Sequence, residues 1–290
     1  MATTNLNADA YHLTRDTAES SRLEAQHEVW KTNVGYLIHP RIAETLPQRD
    51  VLVGDVGTGT GAWLLDVARQ PNAQNWNFHG LDLSAAQFPP IPSSNIRFST
   101  LNILDPVPAD LEGKFDVLHL RILVMGLPTG TWVTAATNLR KLLKPGGWLQ
   151  WEEARFGDLV TLQTDLSHSA LRTSSEALYH SIRAAVVSRG VALDEIASLE
   201  GFVGSGGFED VRLDLLGSDR VLETRKGFSL AVAGAFRGMI KMLASADPEA
   251  STWREGGAAW QQLDSIENAM RREELYYSAD IMVVTGRRVS

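Results

Sequence analysis

The spacing of apolar and polar positions changes twice along the chain. Up to about residue 46, apolar residues recur at three- and four-residue steps, which predicts two or three short helices divided by Gly35 and Pro40. Short apolar runs then alternate with helical segments as far as Glu153. The predicted strands are VLVGDV, NFHGLDLS, NIRFSTLNI, KFDVLHLRIL and WLQWEE, and the predicted helices are AWLLDVARQ and TWVTAATNLRKLL, the second of which KPGG ends in a turn. This alternation indicates parallel strands with right-handed crossovers.

Beyond Glu153 the pattern is mostly helical. Helices are predicted over residues 164–188, 194–198, 226–244 and 250–275, with two strand-like stretches, FEDVRLDLL and ADIMVVTGRR. The fold class is therefore α/β. We expect one integrated domain with an N-terminal helical cap (1–46), a sheet-containing core (47–153) and a helical cover that carries the last two strands (154–290).

Composition narrows the class of protein. The net charge of -8 and the pI of about 5.4 argue against a protein that binds nucleic acid through its phosphates. The chain has 0 cysteines, its start lacks a secretory pattern, and no apolar run looks long enough to cross a bilayer, so a cytoplasmic protein without a membrane partner is expected. A small-molecule substrate is the expected partner, and a homodimer is left open.

The stretch VLVGDVGTGTGAWLLDVA carries the first candidate chemistry. Gly57, Gly59 and Gly61 stand where a predicted strand turns into a helix, and Thr58 and Thr60 lie between them. Glycine permits positive φ and lets a ligand approach the backbone closely, and the start of a helix presents free N–H groups. This arrangement predicts a cofactor cradle.

Two cofactor classes compete for this loop. GTGTGA matches the dinucleotide fingerprint, and Asp82 follows at about the expected spacing of twenty residues. Asp55, two residues before the first glycine, would repel a pyrophosphate and attract an ammonium group. S-adenosylmethionine carries an ammonium and a sulfonium and has no phosphate. The acid therefore favours S-adenosylmethionine over NAD.

The combination of VLVGDVGTGTG, GLDLS, FDVLHLR and LLKPGGWLQWEE resembles the class I S-adenosylmethionine-dependent methyltransferases over about Asp50 to Glu153. That resemblance implies a Rossmann-like, seven-stranded, mostly parallel sheet closed by a late antiparallel hairpin. The stretches YHLTRDTAESSRLEAQHEVWKTNVGYLIHP and LDLSAAQFPP resemble a fungal branch that includes secondary-metabolite enzymes such as the gliotoxin-pathway N-methyltransferase. The resemblance to this branch implies a natural-product substrate and S-adenosylhomocysteine as the spent cofactor.

The resemblance assigns roles to individual positions. Asp55 matches the acid that reaches towards the methionine ammonium, Asp82 the ribose acid, and Asn102 the position that faces the adenine amine. The predicted cofactor-binding residues are Asp55, Gly57, Thr58, Gly59, Gly61, Asp82, Leu83, Asn102, Ile103 and His119, together with Tyr11, Arg22 and Gln26 from the N-terminal helices.

The catalytic candidates are His119, Arg121, His27 and Glu153. His119 and Arg121 are two residues apart on a predicted strand, so their side chains lie on the same face. They stand near the sheet edge where open α/β sheets bind ligands. Arg121 is expected to orient the substrate or to pair with an acid such as Glu153. No cluster of metal-ligating residues stands out, and no metal is predicted.

The expected reaction is methyl transfer to nitrogen or oxygen of a small, apolar or aromatic metabolite. Two alternatives stay open beside it. One is a cyclisation or rearrangement that uses the cofactor without consuming it, and the other is a non-catalytic regulatory relative. An NAD oxidoreductase ranks last because of Asp55 and the two late strands.

Overall fold

The computed structural model of the chain describes residues 16–90, 93–247, 249 and 251–289. Its helices are α1 Thr17–Val34, α2 Pro40–Ala43, α3 Ala62–Ala68, α4 Trp132–Leu142, α5 Ser169–Val187, α6 Leu199–Ser205, α7 Leu222–Ala246 and α8 Ala258–Arg271. Its strands are β1 Leu52–Val56, β2 Asn77–Asp82, β3 Ile96–Thr100, β4 Phe115–Arg121, β5 Leu143–Ala154, β6 Val160–Gln163, β7 Glu209–Gly217, β8 Leu275–Ser278 and β9 Asp280–Arg287.

Seven of these strands form one sheet in the order β3-β2-β1-β4-β5-β9-β7. Strands β1 to β5 pair in parallel, whereas β9 runs antiparallel to both β5 and β7. The predicted seven-stranded, mostly parallel sheet is confirmed. Because consecutive strands leave β1 in opposite directions, the carboxyl ends of β1 and β4 lie at the switch point where such sheets bind ligands.

The helical cover contains pairing that the sequence pattern did not predict. β6 and β8 form a separate two-stranded antiparallel sheet, so the helix expected from residue 164 begins at Ser169 instead. By contrast, β7 and β9 form the predicted late antiparallel pair, although α7, α8 and β8 lie between them in the chain. The stretch KPGG lies within β5, which starts at Leu143 and shifts register there, rather than in a free turn.

The N-terminal region forms one long helix and a single turn. Asp16 caps α1 by accepting from the Glu19 N–H at 2.8 Å, and α1 ends at Gly35, whose φ is 90°. Pro40 occupies the first position of α2, where its missing N–H costs nothing. Gly35 and Pro40 therefore divide the region as predicted. Tyr11 lies outside the described residues.

Helix α7 corrects the expectation that no segment is long and apolar enough to cross a membrane. Its 25 residues meet that test by length and composition, and 44% of its most apolar window is buried inside the structure. A helix packed in a protein core passes the same test. Phe228 and Phe236 of α7 join the largest hydrophobic cluster, which also contains Trp30 of α1 and Leu118 of β4.

Candidate functional site

The glycine loop after β1 is the centre of the site. Gly57 and Gly59 have φ of 71° and 52°, in the left-handed region that favours glycine. A Cβ added to Gly57 would lie 2.6 Å from Cδ1 of Leu123, which is closer than a real contact allows. The positive φ therefore favours glycine at this position, and any larger residue would also have to displace the end of the Leu123 side chain.

Asp82 ties this loop to the end of β2. One carboxylate oxygen accepts from the Gly59 N–H at 2.9 Å, and the other accepts from the Ser84 N–H at 3.1 Å. The Gly57 and Thr58 N–H groups both donate to the Leu81 carbonyl, at 2.8 and 3.0 Å. Asp82 thus shapes the loop, in addition to the ribose contact that the sequence predicts.

A single cavity runs from the glycine loop into the helical cover. It brings together most of the predicted cofactor residues: Arg22, Gln26, Gly57, Gly59, Asp82, Leu83, Asn102 and Ile103, with Arg121 beside them. Its other half is an apolar chamber, which we define by Phe156, Tyr179, Ile182, Leu193, Phe228, Val232, Phe236 and Met239. A polar binding half and an apolar half therefore share one continuous space.

A second, smaller cavity adjoins the first at the glycine loop. Leu23, Gln26, Gly57, Gly59 and Arg121 line both cavities. The remaining walls of the small cavity are Asp55, Thr58, Thr60, Ala62, Trp63 and His119. Gly61 lines neither cavity; it caps α3 with φ 72°, and a Cβ there would lie 3.0 Å from the ring of Phe98.

Asp55 and His119 form a buried pair on neighbouring strands. His119 Nδ1 donates to one oxygen of Asp55 at 2.7 Å, since a carboxylate can only accept, and the Thr58 hydroxyl donates to the other at 2.7 Å. The His119 ring stacks on Trp63 with centroids 3.7 Å apart. The hydroxyl of Thr58, which was predicted to face the cofactor, is therefore engaged by Asp55.

Glu152 continues this network on β5. Its carboxylate accepts from Trp30 Nε1 at 2.5 Å and from Gln150 Nε2 at 2.6 Å, and it lies 3.8 Å from His119 Nε2. Burial opposes the charge on both residues, but their mutual attraction and the hydrogen bond of His119 to Asp55 outweigh it. The pKa of His119 is raised and the pKa of Glu152 is lowered as a result.

This environment argues against His119 as a general base beside the transferred methyl group. The residue is 1% exposed, it lines only the small cavity, and its raised pKa favours the imidazolium form, which has no free lone pair. His119, which was predicted as a catalytic residue, is instead a hydrogen-bonded partner of Asp55. Its cofactor-contacting role stays a prediction.

His27 is likewise engaged by its neighbours rather than poised for catalysis. Its Nε2 lies 3.0 Å from an oxygen of Asp66 and its Nδ1 lies 3.2 Å from a terminal nitrogen of Arg121. Burial, followed by the Arg121 charge, lowers the pKa of His27, which favours the neutral ring. His27 does not line either of the two cavities.

Glu153 points to the opposite face of the sheet from Arg121, so the predicted pairing of these two residues is wrong; Glu152 is the neighbour of Arg121 across the strands. One oxygen of Glu153 accepts from the Leu123 N–H at 2.7 Å and from Trp151 Nε1 at 3.1 Å. Burial raises the pKa of Glu153 to about 8. The residue anchors the turn after β4 and lines neither cavity.

Asn102, Arg22 and Leu83 also line the main cavity. Asn102 uses its side-chain carbonyl to accept from the Leu104 N–H at 3.1 Å, so the oxygen expected to meet adenine already holds a turn. Arg22 donates to both oxygens of Glu19, at 2.7 and 2.6 Å. Leu83 is 38% exposed and available as an apolar contact.

One group of side chains has the spacing of a cation site. Ligand atoms of His27, Glu28 and Asp66 lie within 4.8 Å of one another. The amine of Lys31 lies 2.8 Å from Asp66 and 3.0 Å from Glu28, so an ammonium already forms ion pairs with both carboxylates. These ion pairs hold α1 against α3.

The sequence pattern did not single out Trp30, Trp63 and Gln150, which complete the buried network around Asp55 and His119. The alternation of Gln150 and Glu152 on β5 was the available signal. Two polar residues on one face of a central strand require partners on whatever element covers that face.

Comparison with known proteins agrees with this geometry. Residues 55–149 match the methyltransferase domain family Methyltransf_12. The methyltransferase grgD of Penicillium sp is 40% identical over 160 residues, which is 53% of this chain and 55% of the relative. The N-methyltransferase sirN of Leptosphaeria maculans is 37% identical over 154 residues, covering 53% of this chain and 52% of the relative. The chain thus spans about half the length of the curated relatives it matches.

A solved structure supports the fold. The phosphoethanolamine N-methyltransferase 2 of Haemonchus contortus, in complex with phosphomonomethylethanolamine and S-adenosylhomocysteine, superposes with a TM-score of 0.53 at 12% identity. The match covers 99% of this chain and 62% of the other. At that identity the likeness concerns the fold alone.

The sheet order and the glycine loop agree with the match of residues 55–149 to a methyltransferase domain. About half of the chain is similar in sequence to methyltransferases of Penicillium sp and Leptosphaeria maculans, which supports the predicted resemblance and S-adenosylmethionine as the cofactor.

Proposed function

We propose that the chain transfers a methyl group from S-adenosylmethionine to a nitrogen or oxygen atom of a small apolar or aromatic natural product. The observation that carries this proposal is the single cavity that joins the glycine loop to the apolar chamber. A methyl donor in the first part and an acceptor in the second would face each other without crossing solvent. The name of the relative sirN, an N-methyltransferase, favours nitrogen as the acceptor atom.

The residues present fit S-adenosylmethionine. Gly57 and Gly59 present backbone without side chains, Asp82 lies at the end of β2, and Asn102 and Ile103 lie beyond β3. When bound, the cofactor supplies a methyl group that its sulfonium has already activated. The protein therefore has to bind, align and dehydrate the reactants more than to activate them.

The apolar chamber supplies the alignment and the exclusion of water. Phe228, Val232, Phe236 and Met239 extend along one face of α7, where their spacing places them on one side of the helix. Tyr179 packs its ring on Phe236, with centroids 6.2 Å apart. Such a lining suits an acceptor with an apolar or aromatic body.

The test is a transfer assay with S-adenosylmethionine that carries a ¹³C-labelled methyl group and a panel of apolar amines, phenols and alcohols. The proposal predicts that S-adenosylhomocysteine forms in proportion to labelled product, and that NMR places the label on nitrogen or oxygen. A product of unchanged mass without loss of cofactor would contradict methyl transfer. The variant Asp82→Ala is the matched control, because it impairs the loop without touching the chamber.

A further inference from the structure

Arg121 stands at the junction of the two cavities. It ends β4, beside the glycine loop, and it lines both the main cavity and the small one. The adenosine-side residues Asp82 and Asn102 line only the main cavity. The small cavity therefore extends from the loop in the direction away from them.

A defined set of contacts holds the guanidinium in this place. Its terminal nitrogen lies 3.2 Å from His27 Nδ1, and its carbon lies 5.9 Å from the centroid of the Trp30 ring. A guanidinium can only donate, so His27 Nδ1 must accept and His27 must be neutral. The remaining ring proton of His27 then lies on Nε2 and is donated to Asp66, 3.0 Å away. Asp66 thus fixes the ring form that Arg121 requires.

Most donors of Arg121 remain available to a ligand. An arginine carries five N–H donors, and among the described residues only one terminal nitrogen has a hydrogen-bond partner. Glu152 lies opposite on β5, but its oxygens accept from Trp30 and Gln150. A largely desolvated cation with free donors is a site for an anion with planar, bidentate geometry.

The small cavity is also lined by a negative charge. Asp55 lines it, and its carboxylate keeps further lone pairs besides those that His119 and Thr58 use. A cavity lined by both a cation and a carboxylate suits a ligand that carries both charges. The amino-acid end of S-adenosylmethionine is such a zwitterion.

We infer that Arg121 binds the carboxylate of this amino-acid end, and that His27 is the residue that positions Arg121 for it. The inference rests on the proposed function, because it needs the cofactor in the main cavity. It replaces the earlier expectation that Arg121 and His27 act on the substrate. Arg121 becomes a cofactor-binding residue, and His27 acts only through it.

Calorimetric titration with two ligands isolates this contact. S-adenosylhomocysteine carries the amino-acid end, whereas 5′-methylthioadenosine has the same nucleoside and thioether without it. Arg121→Gln is expected to weaken S-adenosylhomocysteine binding about 10- to 100-fold, the usual effect of stranding a charged hydrogen bond, and to leave 5′-methylthioadenosine binding unchanged. Unchanged binding of the second ligand also shows that the variant is folded. Arg189→Gln, at an exposed position, is the matched control.

The positioning role of His27 has its own readout. His27→Ala is expected to weaken S-adenosylhomocysteine binding less than Arg121→Gln does, and His27→Asn, which keeps an acceptor, to restore it. The double variant His27→Ala, Arg121→Gln is expected to bind no more weakly than Arg121→Gln alone, because both changes remove one interaction. Additive losses would overturn the positioning role.

Two results separate the failure of this inference from that of the proposed function. If Arg121→Gln binds both ligands as tightly as the unchanged chain, the carboxylate assignment is overturned. If the unchanged chain binds neither ligand, the cofactor site itself is refuted.

Discussion

Glu153 makes the stability of this protein depend on pH in a way that can be isolated. Its carboxyl is fully buried, one oxygen accepts from Leu123 and Trp151, and the other has no hydrogen-bond partner among the described residues. Burial raises its pKa from 4.5 to about 8. Between these two values the unfolded chain loses the proton while the folded protein keeps it. Stability must therefore fall as the pH rises through this window.

The size of the effect follows from the width of the window. Each pH unit in which only the unfolded chain ionises lowers the free energy of unfolding by about 1.4 kcal/mol. From pH 5 to pH 8 the carboxyl of Glu153 should thus lower it by ~3 kcal/mol. Below the unfolded value of 4.5 both states hold the proton and the effect vanishes.

The assay is urea unfolding of the unchanged chain and of Glu153→Gln at several pH values from 5 to 8. Gln cannot ionise and keeps an oxygen for Leu123 and Trp151, so the difference between the two curves reports Glu153 alone. The difference should grow by ~3 kcal/mol in favour of the variant towards pH 8. Glu200→Gln, at an exposed position, should not change the slope. Parallel curves for Glu153→Gln and the unchanged chain would refute the reasoning.

Three further predictions concern the site. Gly57→Ala and Gly113→Ala both force a side chain into positive φ, so each should lower the free energy of unfolding by about 1 kcal/mol. Only Gly57→Ala should also reduce S-adenosylhomocysteine affinity in calorimetry, because a Cβ at Gly113 meets no atom within 4 Å. Asp82→Ala should weaken that affinity about 10- to 100-fold, and unchanged binding would remove Asp82 from the cofactor site. Trp30→Phe removes the donor to Glu152 and should lower the free energy of unfolding by about 1–3 kcal/mol in urea titration; an equal midpoint and slope would contradict the importance of that bond.

Local sequence signals were sufficient to predict the strands of the sheet and the glycine loop that forms the cofactor cradle. The strand–glycine–helix succession at Gly57 and Gly59 depends on backbone conformation within a few residues, and the acids at Asp55 and Asp82 lie at strand ends that pattern alone locates. Right-handed crossovers restrict the order of the parallel strands, and the seven-stranded arrangement was implied by the resemblance. The pattern thus predicted Gly57, Gly59 and Asp82 as cofactor residues, whereas Leu83, Asn102 and Ile103 were predicted from the resemblance to the methyltransferases.

Contacts between elements that lie far apart in the chain could not be predicted from local sequence signals. Trp30 meets Glu152 across 122 residues, and His27 meets Arg121 across 94, so each pair depends on how α1 is placed over the sheet. No periodicity encodes that placement. Glu153 was misassigned for a related reason, because its neighbour Glu152 has the opposite face of β5 and only the partners on each face distinguish the two acids.

The short pairing of β6 with β8 was missed because four-residue strands resemble helix ends in a single sequence. Their partners lie far apart in the chain, and only the packing of α5, α7 and α8 brings them together.

The central claim is that the glycine loop, Asp55 and Asp82 bind S-adenosylmethionine. Calorimetric titration of the purified protein with S-adenosylhomocysteine and, separately, with NAD tests it most directly. The account predicts micromolar binding of S-adenosylhomocysteine and no binding of NAD, because Asp55 repels a pyrophosphate at the loop. Binding of NAD without S-adenosylhomocysteine would contradict the cofactor assignment and the methyl transfer that depends on it.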